Sequence, residues 1–78
     1  MTIDDLYRII EEEGLDMTVL TTGGYNTIDL YKGDAGEYHL VINGERGPER
    51  EFDDLTESRA CELALQFVRR FSKSRKVR

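Results

Sequence analysis

Six carboxylates, Glu45, Glu49, Glu51, Asp53, Asp54 and Glu57, crowd into thirteen residues, and Glu11, Glu12, Glu13, Asp16, Asp34 and Glu37 add to them. Paired carboxylates do acid–base catalysis when one of the two is held neutral by its surroundings, and nothing in this spacing singles out such a pair. Spread along the loops of a small rigid scaffold, carboxylates can instead imitate a phosphate backbone. They are then read by the Lys and Arg side chains that read phosphate. The same density of acids also does the plainer work of keeping a small domain in solution.

The other residue types that carry chemistry are few. His39 is the only histidine; it falls on an expected strand with no ligand partner at metal spacing, so it reads as a sheet-face residue. Cys61 stands beside Glu62, where a thiolate is not favoured, and reads as a small packing residue. A single cysteine makes no internal disulfide, which fits a reducing, cytoplasmic setting. Gly23-Gly24 and Gly33/Gly36 are turn glycines, since no helix opening with Lys-Ser/Thr follows either. The expectation is a protein that is not an enzyme, with no catalytic, cofactor-binding or metal-binding residues.

Charge is divided unevenly along the 78 residues. Residues 1–68 hold all sixteen acids and five bases, a net −11, whereas 69–78 carry six bases: Arg69, Arg70, Lys73, Arg75, Lys76 and Arg78. An acidic body of this kind repels nucleic acid and attracts basic surfaces over the range that salt allows. The basic tail could do the opposite locally, or simply favour the helix dipole. No apolar run is long enough to cross a bilayer, and the opening residues, with Asp4 and Asp5, do not read as a signal peptide.

These side chains need a scaffold, and its anchor is the stripe Ala60, Leu63, Ala64, Phe67, Val68 and Phe71, spaced as one face of an amphipathic helix. That helix should start at a cap on Asp54 or Thr56, run to about Ser72, and leave 73–78 as a frayed basic tail. A first helix is expected over 3–13, with Thr2 as N-cap, Asp5 three residues on in a capping-box position, and Gly14 as its stop. Its three closing glutamates oppose the helix dipole, so stability alone would not select them.

Between the helices, 16–22 is rich in β-branched residues and reads as a strand, followed by a turn at Gly23-Gly24-Tyr25-Asn26. Residues 27–32 and 37–42 alternate as two more strands around a turn at Gly33-Asp34-Ala35-Gly36. Asn43-Gly44 is a type I′ hairpin signal. The segment 45–52, interrupted by Gly47-Pro48, should pair back only as a short fourth edge strand or an ordered loop. The fold class is therefore α+β, a two-layer αβββα domain over 1–72 whose antiparallel sheet is covered on one face by both helices. Ile28, Leu30, Tyr38, Leu40 and Ile42 should face those helices, leaving Asp29, Tyr31, His39 and Val41 on the other side.

By its αβββα order the chain resembles a double-stranded-RNA-binding domain. That family places a basic cluster at the start of its second helix, and here Glu57-Ser58-Arg59-Ala60-Cys61-Glu62 stands there, so the resemblance implies the fold without the RNA contacts. The stretch 36–71 also resembles the arm-binding domains of phage integrases, whose sheet is basic where this one is acidic. A third resemblance is carried by Ile3-Asp4-Asp5-Leu6-Tyr7-Arg8-Ile9-Ile10, Ile28-x-Leu30 and Gly36-Glu37-Tyr38-His39-Leu40-Val41-Ile42 with the acids that follow. Over roughly residues 1–55 these are similar to a small acidic phage anti-CRISPR protein. That resemblance implies a DNA mimic that fills the PAM-reading site of a CRISPR effector.

The expected function is inhibition of a CRISPR effector by protein–protein binding and acidic mimicry of DNA. The expected contacts are Tyr31, Asp34, Glu37, His39, Glu45, Glu49, Glu51, Asp53 and Asp54. The partner would be a basic nucleic-acid-binding protein, with no membrane and no direct DNA binding by the acidic body. Two alternatives belong to other classes. One is an interaction or homodimerisation module using the Asp29/Tyr31/His39/Val41 face, and the other is a small nucleic-acid binder acting through the basic tail.

Overall fold

The structure is a computed structural model that describes residues 1–20 and 25–76, with backbone alone for 73–76. Helix α1 (Ile3–Glu12) is followed by a single 3-10 turn (Met17–Val19), then strands β1 (Thr27–Lys32), β2 (Tyr38–Gly44) and β3 (Gly47–Leu55), and helix α2 (Glu57–Lys76). The strands form one antiparallel sheet in the order β1-β2-β3. This is the expected α+β fold, a sheet packed against two helices.

Both ends of α1 are closed by local chemistry. The Asp5 N–H donates to Thr2 Oγ1 and the Thr2 N–H to the Asp5 carboxylate, the reciprocal capping box. At the other end Gly14 takes φ +66. Its N–H donates to the Glu11 carbonyl and the Leu15 N–H to the Ile10 carbonyl. That pair of bonds satisfies carbonyls the helix would otherwise leave open. Helix α2 starts on Thr56, whose Oγ1 accepts from the Arg59 N–H, and continues to Lys76, beyond the expected end near Ser72.

The two helices run side by side in the same direction. The Ile3 N–H donates to Glu57 Oε2, the Arg69 guanidinium to the Glu13 carboxylate, and the Asp16 N–H to the buried Ser72 Oγ. Glu13, awkward for the helix dipole, thus finds its counter-ion on α2. Helix α2 lies against β1, β2 and α1 together, so its buried surface is wider than one stripe. Cys61 and Leu65 are buried along with Ala60, Leu63, Ala64 and Val68. Burial pushes the Cys61 thiol pKa up, as expected of a packing residue.

The core joins Leu6 and Ile10 of α1, Val19, the strand residues Ile28, Leu40 and Ile42, and the buried side of α2. Each fully buried aliphatic side chain contributes about 1.5–3 kcal/mol. Phe52, Phe67 and Phe71 extend it as a chain of tilted rings with centroids 6.5 and 6.1 Å apart.

Three expectations are corrected. The strand expected over 16–22 is absent from its described part: Asp16 caps the 3-10 turn by accepting from the Thr18 N–H and Oγ1, and such local bonding competes with a ladder. Thr21, Thr22 and the turn glycines Gly23 and Gly24 lie outside the described residues. Asn43-Gly44 is not a turn but the end of β2, because Asn43 is buried and donates to Thr27 Oγ1 across the ladder at 3.2 Å. The hairpin turns at Glu45-Arg46 instead, and Gly47 supplies the positive φ of +115. Finally, β3 is nine residues long rather than a short fourth strand, and it is the third strand of the sheet. Pro48 is accommodated because β3 is an edge, where a missing donor costs no ladder bond.

Candidate functional site

Register decides which side chains share a face, because residues directly opposite in an antiparallel pair project to the same side. Thr27↔Asn43, Asp29↔Val41 and Tyr31↔His39 pair between β1 and β2, and Val41↔Glu51 between β2 and β3. These residues therefore line the face away from the helices, as expected for Asp29, Tyr31, His39 and Val41.

The centre of that face is His39. Its Nδ1 lies 2.8 Å from Asp53 Oδ1 and its Nε2 lies 2.8 Å from Glu37 Oε2. The Tyr31 ring stacks on the imidazole with centroids 5.0 Å apart and planes 17° from parallel. Glu37 stands just before β2, where the Gly33 N–H donates to its carbonyl to close the turn, and its side chain reaches the ring from two positions away. Asp53 reaches it because β3 carries an extra residue there. Asp53 and Asp54 together oppose the single His39, between the pairs Leu40↔Phe52 and Tyr38↔Leu55. Asp54 absorbs the bulge at φ +57, a conformation that Asp tolerates better than most residues.

Hydrogen bonds accepted by Asp53 and then by Glu37 hold the His39 pKa above its ordinary 6.5. The bond from His39 holds the Glu37 carboxyl below its ordinary 4.5. When protonated, the imidazole donates an N–H to a carboxylate on each side, and that pairing favours the cationic form.

A second polar group sits alongside. Asn43 Nδ2 donates to Thr27 Oγ1 and, at 3.5 Å, to Asp29 Oδ2. Asp29 Oδ1 is buried with no hydrogen-bond partner among the described residues. Together with exposed Glu51, the face carries Asp29, Glu37, Glu51 and Asp53. Among the described strand residues that share this face there is no Lys or Arg to offset them.

The expected contact residues thus divide. Tyr31, Glu37, His39, Glu51 and Asp53 come together on this face. Asp34, in the β1–β2 turn, and Asp54, at the bulge, are exposed at one end of the sheet. Glu45 and Glu49 are elsewhere: they line a cleft between the β2–β3 hairpin and α2, on the helix side, with Arg46, Arg50 and Arg70. The expectation missed Asp29 as a member of the acidic set and missed the Glu37–His39–Asp53 cluster. It also missed the gathering of arginines, which are scattered in the chain.

Among the described residues no group of three or more His, Cys, Asp or Glu side chains is arranged to hold a metal, and no described helix is long and apolar enough to cross a membrane. Compared with known protein families, curated proteins and solved structures, the chain gives no match.

Proposed function

We propose that this domain is an acidic inhibitor that binds a basic nucleic-acid-binding protein through the uncovered sheet face and blocks its DNA site. A CRISPR effector subunit is the partner implied by the resemblance to the phage anti-CRISPR protein. The observation that supports this reading is the placement of Asp29, Glu37, Glu51 and Asp53 on one face without a neighbouring Lys or Arg among its described strand residues. Asp29, Glu51 and Asp53 sit on paired strands and Glu37 is held by His39, so their spacing is fixed and a cationic groove meets them without ordering them first.

The two alternatives fare less well on the same observations. A homodimer through this face would oppose four acids with four acids, which costs association energy. A nucleic-acid contact through the basic tail loses Arg69, which is already bound to Glu13.

The test is a CRISPR interference assay in which the chain is co-expressed with type I and type II systems and surviving target plasmid is counted. Protection by the wild type, lost in Glu51→Lys/Asp53→Lys and retained in Glu45→Lys/Glu49→Lys, is the expected result. Absence of protection in every system, or protection indifferent to the outer-face reversal, would overturn the reading.

A further inference from the structure

We propose that the cleft between the β2–β3 hairpin and α2 is a binding site for a nucleoside phosphate. This site lies on the helix side of the sheet and does not depend on the reading of the outer face.

The first argument is charge. Arg8 pairs with Asp5, Arg59 with Glu62 and Arg69 with Glu13. Arg46, Arg50 and Arg70, the arginines that line the cleft, make no ion pair or hydrogen bond among the described residues. They stay unpaired although Glu45 and Glu49 line the same cleft, in a chain rich in acids. Arg50 is instead set over the Phe52 ring, 5.1 Å from its centroid, which holds a guanidinium in place without neutralising it. Three convergent and unneutralised forks are what a phosphate group requires, since each can donate two parallel N–H bonds to its oxygens.

The second argument is shape. The cleft encloses about 470 Å³, within the range of small-molecule sites. Phe67 and Phe71 form one wall, tilted rings that are only partly buried. Aromatic walls of that kind accept the face of a planar base.

The carboxylates complete the fit. Glu49 lies against Gly44, where a Cβ would overlap its carboxylate, so the glycine leaves the room that this side chain occupies. Glu45 and Glu49 repel a bare anion but accept hydrogen bonds from ribose hydroxyls. The chemical set is therefore arginines for one phosphate, phenylalanines for the base and carboxylates for the sugar. A polynucleotide fits less well, because the acids elsewhere on the domain repel its further phosphates.

The experiment titrates the full chain with AMP, GMP, CMP and UMP, followed by amide and arginine side-chain NMR shifts and by calorimetry. Adenosine, inorganic phosphate and a short oligo-dT serve as separate arms. At least one mononucleotide is expected to bind about tenfold or more tightly than adenosine or phosphate alone, with shifts at Arg46, Arg70 and Phe71. Arg46→Gln and Arg70→Gln should each weaken it about tenfold, a charged hydrogen bond lost. Arg59→Gln, on the far part of α2, should leave it unchanged. All three arginines are exposed, so these variants keep the fold, which their melting temperatures check. The proposal is overturned if no mononucleotide binds at roughly 10 mM, far above a useful site's affinity. Equal binding of phosphate alone, tighter binding of oligo-dT, or indifference to both arginine variants would overturn it as well.

Discussion

His39 Nδ1 and Asp53 Oδ1 meet at 2.8 Å across the β2–β3 ladder. This contact exists because β3 is one residue too long at that point. The bulge lets two aspartates oppose one histidine, and Asp54 takes the left-handed backbone conformation that aims Asp53 at the ring. The polar centre of the outer face is therefore built by an irregularity in the edge strand.

The cluster should be visible in a pH titration. The His39 pKa is raised above 6.5, so its contribution to stability is fully present below 6.5 and is lost as pH rises through the higher folded value. The Glu37 pKa is lowered below 4.5, so its contribution is present above 4.5 and is lost as pH falls through the lower folded value. Between 4.5 and 6.5 both are in place. Histidine NMR should give a midpoint above 6.5. In Asp53→Asn and Glu37→Gln it should move down towards that value. A midpoint at or below 6.5 in the wild type would mean that the imidazole is not held between two carboxylates.

Asp54 tests the bulge itself. A β-branched residue at φ +57 is strained, and Asp54→Val should destabilise the domain by about 1–3 kcal/mol. Asp54→Gly accepts the conformation freely and should unfold near the wild-type denaturant midpoint. If the valine variant also lowers the His39 midpoint and the glycine variant does not, the backbone conformation at Asp54 is what positions Asp53.

The sequence reveals the parts of this arrangement that follow local rules. Thr2, Asp5 and Gly14 bound the first helix, and the spacing of Ala60 to Phe71 marks the second, because caps and periodicity act within a few residues. Glu37 was also within reach as a partner of His39, two positions away on the expected strand and so on the same face. Asp53 was not, since its position depends on a register shift fourteen residues further on. Asn43-Gly44 misled because the isolated dipeptide favours a turn, while burial of Asn43 against Thr27 favours the ladder. Arg46, Arg50 and Arg70 are brought to one cleft only by packing the hairpin against α2, which no local spacing encodes.

The Glu13–Arg69 pair makes a separate prediction about helix registry. The Arg69 bond holds the Glu13 carboxyl below its ordinary 4.5, and the guanidinium is itself held up by Glu13. Arg69→Gln should return the Glu13 midpoint towards 4.5 in a carboxyl-carbon NMR titration. Hydrogen exchange at Glu13, Gly14 and Leu15 should accelerate at the same time, because the closing turn of α1 loses its tie to α2. Unchanged exchange would show that the capping bonds of Gly14 and Leu15 suffice alone.

Leu40 and Val41 are neighbours on β2 that face opposite sides of the sheet, and together they separate folding from binding. Leu40 is fully buried in the core, so Leu40→Ala should cost about 2–5 kcal/mol through lost burial and the cavity left behind. A domain of this size has roughly 4–12 kcal/mol in all. That variant should therefore unfold at a much lower urea midpoint or lose its cooperative transition. Val41 lies between Asp29 and Glu51 on the outer face and is half-buried, so Val41→Lys keeps the core and adds a cation among the acids. Its melting temperature should stay within a few degrees, a surface-scale change of about 0.5 kcal/mol. Its inhibition of a basic partner should fall, and the salt dependence of binding should become shallower as one attractive charge is cancelled. If Val41→Lys inhibits as well as the wild type with the same salt slope, the outer face is not the surface that meets the partner. A loss confined to Leu40→Ala would then trace inhibition to the intact fold rather than to these acids.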